Sequence, residues 1–125
     1  MMARVFLTVA SLLGALAVAG GAFGAHALKG KLSESALASF ETGVRYQMYH
    51  ALALLVVAVL IGQYPQATGL TAVGWCFIAG TLLFSGSLYG LSLAGIKAFG
   101  PITPLGGVAF IAGWALLAWS SRSIF

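Results

Sequence analysis

Phe40 to His50 reads Phe-Glu-Thr-Gly-Val-Arg-Tyr-Gln-Met-Tyr-His, and it gathers side chains able to hold charge, pass protons or hydrogen-bond. On a helix turning about 100° per residue, Glu41 and Arg45 stand one turn apart, with Tyr49 a further turn on. Tyr46 and His50 are also one turn apart, on the other side, beside Gly43 and Gln47. Two chemistries are open to such a cluster. Histidine and carboxylate groups buried in a membrane mark proton or ligand pathways, because they titrate near physiological pH. The structural alternative is an i, i+4 pair of Glu41 with Arg45, while Tyr46, Gln47 and His50 bond to neighbouring helices. Polar residues glue membrane helices more often than they catalyse, which favours the second reading. His26 precedes this stretch, and with His50 and Glu41 it supplies ligand types that suit a divalent metal. Their spacing matches no ligand motif, so no metal or cofactor is expected. Nor is an enzyme expected, since there is no Gly-x-Ser-x-Gly elbow and no aspartate in the chain.

The elements that must position these residues follow from composition. Of 125 residues, 61% are hydrophobic and only 6% are charged, against roughly 25% charged in soluble domains. A lipid bilayer is therefore the expected solvent. The six Lys and Arg residues are scattered, which leaves no basic block for nucleic acid. Cys76 is the only cysteine, so an internal disulfide is excluded. The apolar patterning predicts an all-α, integral membrane four-helix bundle in a single domain over residues 1–125, with helices over 5–27, 33–61, 69–93 and 104–120. The first run, Val5 to Ala27, is long enough to cross. It also loosely fits a signal peptide, but it exceeds the usual apolar core of one, so a retained helix is expected.

Helix two places the cluster. Its unbroken apolar run, Ala51 to Ile61, reaches only about 17 Å as helix, against a hydrocarbon core of about 30 Å. To span, it must draw in roughly residues 42–50, which puts the cluster inside one membrane boundary. The preceding segment, opened by Ser33 as N-cap with Glu34 in the first turn, is expected to lie amphipathically in the interface. Gly62 and Pro65 end the helix. In helix four, Thr103 is the expected cap, with Pro104 in the first turn. Trp114 and Trp119 suit an interfacial aromatic belt. Gly20 and Gly24 on helix one, and Gly86 and Gly90 on helix three, are expected to let helices approach closely.

Four crossings put His26, Glu41, Arg45, Tyr46, Gln47, Tyr49, His50, Ser85, Tyr89 and Thr103 on one membrane face. That face also carries Lys29, Lys31 and Lys97, whereas Arg4 and Arg122 lie opposite. The bias places the polar face in the cytoplasm and both termini outside a bacterial inner membrane.

Four segments carry a resemblance. Gly21-Ala22-Phe23-Gly24-Ala25-His26, the stretch from Phe40 to His50, Phe84-Ser85-Gly86-Ser87-Leu88-Tyr89 and Gly100-Pro101-Ile102-Thr103-Pro104-Leu105-Gly106-Gly107 stand in order across nearly the whole chain. Together they resemble the YgdD/YwdK-type family of small membrane proteins, a domain of unknown function with bacterial and eukaryotic organellar relatives. The resemblance implies a four-helix membrane protein and carries over no substrate, cofactor or reaction. The residues leave two functions in view. One is an interaction or accessory component of a larger membrane complex. The other is an oligomeric binding or transport module that holds a proton, metal or small polar ligand in the polar cluster.

Overall fold

Ser33 starts the longest helix by accepting a hydrogen bond from the Ala36 amide at 3.2 Å, which satisfies one of the free donors of the first turn. From that cap, α2 runs without a break over Glu34–Gln63. Thirty residues make a rod of about 45 Å, longer than the hydrocarbon core, so it must tilt or extend beyond that core. The expected interfacial segment is thus the leading end of one continuous helix.

The computed structural model describes residues 1–125. Before α2 comes α1, Met2–Phe23, whose last turn relaxes into a π-helical turn over Gly24–Leu28. After it come α3, Leu70–Ala94, and α4, Ile102–Ser120. All four are long and apolar enough to cross a membrane. Gly69 and Gly95 bound α3 in the left-handed conformation, φ 88° and 65°, which stops the helix at both ends without a side-chain cap. The buried Ser120 hydroxyl sits against Gly69 without a hydrogen-bond partner. Helix four starts earlier than its sequence suggests, at Ile102. Thr103 is therefore not its cap, because its hydroxyl is engaged with α3.

The backbones pack closely in chain order, α1 on α2, α2 on α3 and α3 on α4. Side chains reach across this order, with Phe6 of α1 against Trp75 of α3 and His50 of α2 against Phe110 of α4. The core gathers Phe6, Leu54, Val57, Val73, Phe77 and Phe110. Outside it the surface stays apolar, with Leu16 63%, Leu82 66% and Ile111 71% exposed. Water would not tolerate that surface; lipid does.

Since lipid tails are as apolar as leucine, burial alone does not drive these helices together, and close van der Waals fit matters more. The fit is made by rings seated on glycines. Phe40 covers Gly24, Tyr89 covers Gly43, Phe6 covers Gly74, Phe110 covers Gly80 and Phe77 covers Gly113. At each, an added Cβ would lie under 3.0 Å from the ring. Between helices, only Gly106 lets backbone approach backbone, at Phe84. Gly20 meets Val44 and Phe40 of α2. The expected packing line of Gly86 and Gly90 needs correction. Gly86 faces open space, and Gly90 receives the Phe99 ring from the short turn Lys97–Phe99 rather than another helix.

Candidate functional site

The centre of the polar cluster is Gln47, 5% exposed on α2. Its Nε2 donates to the Leu13 carbonyl of α1 at 2.8 Å, and its Oε1 accepts from the Tyr89 hydroxyl of α3 at 2.6 Å. A carbonyl needs a donor and a phenol can supply one, so the two partners fix which way the amide points. One side chain thereby ties three helices. Gly43, one turn before, lets the Tyr89 ring lie against the α2 backbone, and its carbonyl accepts from the Ser85 hydroxyl at 2.6 Å. A side chain at Gly43 would displace that ring and pull the hydroxyl away from Gln47.

His50 is held from two sides. Its Nδ1 lies 2.7 Å from the Tyr46 carbonyl, and the Trp114 indole N–H donates to its Nε2 at 3.1 Å. An indole only donates and a carbonyl only accepts, so this geometry requires the neutral ring with its proton on Nδ1. The imidazole stacks on Phe110 with centroids 3.5 Å apart and planes 8° from parallel. Trp114, 48% exposed, thus reaches inward with its indole N–H to the buried His50. Trp119 stays 62% exposed, with the Arg122 guanidinium 4.3 Å from its ring. On α4, Thr103 meets the Ser87 hydroxyl at 2.6 Å, and Ser87 in turn donates to the Phe84 carbonyl.

Other residues singled out from the sequence stand apart. His26, in the π-helical turn, and Glu41, Arg45 and Tyr49 on α2 are exposed. The Tyr49 ring packs beside Tyr46, which rests on Phe84. No three His, Cys, Asp or Glu side chains come together as a metal-holding group, so His26, His50 and Glu41 do not converge. The reason is geometric, since His26 and Glu41 point outward while His50 points into the bundle. Sequence reasoning missed the partners of the cluster, Leu13, Phe110 and Trp114. Phe110 and Trp114 do stand one helical turn apart, the spacing of a shared face, but nothing in the chain says which histidine that face meets.

The chain matches the family model described as a protein of unknown function, DUF423, over residues 20–107. It belongs to that family. It is 49% identical over 114 residues to the UPF0382 membrane protein YwdK of Bacillus subtilis, covering 91% of this chain and 93% of the relative. It is 46% identical to the UPF0382 membrane protein SAB0533 of Staphylococcus aureus, covering 91% and 92% of the two chains. With SH2409 of Staphylococcus haemolyticus it shares 42% identity over 118 residues, 94% of this chain and 95% of that one. No solved structure matches. The chain is a multi-pass membrane protein of the DUF423 family, and the matched region contains every cluster residue from His26 to Thr103.

Proposed function

We propose that this protein is an interaction component, an accessory or assembly partner of a larger complex in the bacterial cytoplasmic membrane, with no reaction of its own. The internal use of the polar cluster carries this reading. Gln47, His50, Ser85, Ser87 and Thr103 each bond within the chain, across helices or to their own backbone. Groups so engaged serve helix association, worth roughly 0.6 to 2 kcal/mol per interhelical bond in membranes. They are poorly placed to exchange protons or to hold a cation, which weighs against a proton- or metal-transport module. What remains available is the outer surface, where α1 and α4 flank the central pair and present long apolar side chains.

Affinity purification from a mild detergent, with isotope-labelled quantitation, tests the proposal. A stoichiometric membrane partner is expected, lost when outward residues are enlarged, as in Leu12→Trp or Ile111→Trp, and kept in Tyr89→Phe. Recovery of this chain alone under several growth conditions would contradict it.

A further inference from the structure

A crevice of about 370 Å3 opens between α1 and α3, with α2 at its back. It has the size and lining of a small-molecule site, mostly apolar with a few polar groups at fixed positions. Leu13, Leu16 and Leu82 form its aliphatic walls. Phe40 and Tyr89, centroids 5.4 Å apart, form an aromatic end. Gln47 lines it from behind, and only one of the two N–H groups on its Nε2 is taken, by Leu13. The crevice lining includes no Lys, Arg, His, Asp or Glu.

From this lining we infer a binding site for a neutral, membrane-soluble molecule with a flat carbonyl-bearing ring and an aliphatic tail, that is, an isoprenoid quinone. Each part of the molecule has its counterpart. A carbonyl takes the second Gln47 N–H, which has no partner within the chain. The ring lies against Phe40 and Tyr89, where offset or edge contacts between flat π systems are favourable. The tail leaves between Leu16 and Leu82 into the lipid. A fatty acid or phospholipid headgroup fits less well, because no cation in the lining offsets a carboxylate or phosphate carried into the membrane interior. The site also gives Gly86 a role that packing within the chain does not. Gly86 lines the crevice, yet an added Cβ there would meet nothing within 4 Å, whereas Gly74, Gly80 and Gly113 in the core each seat a ring.

The test is native mass spectrometry of the full chain released from phosphatidylcholine nanodiscs supplied with decylubiquinone, compared with decylbenzene at equal concentration. Wild type is expected to carry one quinone. Gly86→Leu, whose Cβ has open space and whose longer side chain would enter the crevice mouth, should reduce that species at least tenfold while circular dichroism stays unchanged. Gln47→Met should lower it further below the wild type than any effect on decylbenzene. Equal quinone occupancy in wild type and Gly86→Leu would overturn the site. So would equal occupancy by decylbenzene, or a retained phosphatidylcholine that quinone fails to displace. Should Gln47→Met fail to fold, the Gly86→Leu comparison alone decides.

Discussion

Gln47 shows how one amide can organise a membrane protein. Leucine in its place would leave the Tyr89 hydroxyl without its acceptor and α1 without its polar tie to α2. Interhelical bonds in membranes are individually modest, because the separated helices also find partners. We therefore expect Gln47→Leu to destabilise by about 1–2 kcal/mol and Tyr89→Phe by about 1 kcal/mol. The double variant should cost less than their sum, with a coupling of about 0.5–1.5 kcal/mol. Equilibrium unfolding in bicelles by steric trapping measures this, and strict additivity would mean that the bond contributes nothing. The residues of this cluster were visible in the sequence as a concentration of scarce polar groups. Two of their partners were not, because Leu13 and Trp114 lie 34 and 64 residues from the side chains they bind. Helical spacing relates a residue only to its own helix. It therefore suggested the Glu41–Arg45 pair, two exposed side chains on the outer surface of α2, but not the bonds between helices.

Between elements, the packing code is an aromatic ring on a glycine. It yields a contrast that opposite outcomes can settle. Alanine at Gly74, Gly80 or Gly113 would drive its methyl into Phe6, Phe110 or Phe77, costing about 1–3 kcal/mol through forced rotamers and backbone shifts. Alanine at Gly86 or Gly107, which have open space, should instead stabilise by about 0.5–1 kcal/mol, since it removes the helix penalty of glycine. Thermal unfolding of the five variants in one detergent checks this, and a uniform loss across them would refute the ring-on-glycine account. The sequence made the helices themselves legible, because apolar length and the Ser33 cap are local signals. Which glycines carry close contacts was not legible. A glycine within an apolar helix reads the same whether it seats a ring, as Gly80 does, or faces outward, as Gly86 does. The start of α4 was misread for a related reason, since Thr103 is a sound cap locally but bonds to Ser87 across the bundle.

For the whole molecule, four crossings put both ends of the chain on one side of the membrane. The charged residues bias that arrangement, with Lys29, Lys31, Arg45 and Lys97 on the face opposite the termini. A C-terminal alkaline phosphatase fusion should therefore be active and the matching green fluorescent protein fusion dark; the reverse pattern would invert the orientation. The outer surface is where the proposed role must be exercised, because Gln47, His50, Ser85, Ser87 and Thr103 already bond within the chain. Site-specific photo-cross-linking in living cells, scanned around the perimeter at Leu12, Leu16, Val56, Leu82, Val108 and Ile111, tests that most directly. Discrete adducts to one membrane protein partner are expected, confined to neighbouring positions on one side of the bundle and unchanged in the Tyr89→Phe background. Adducts to lipid alone at every position, across growth conditions, would contradict it.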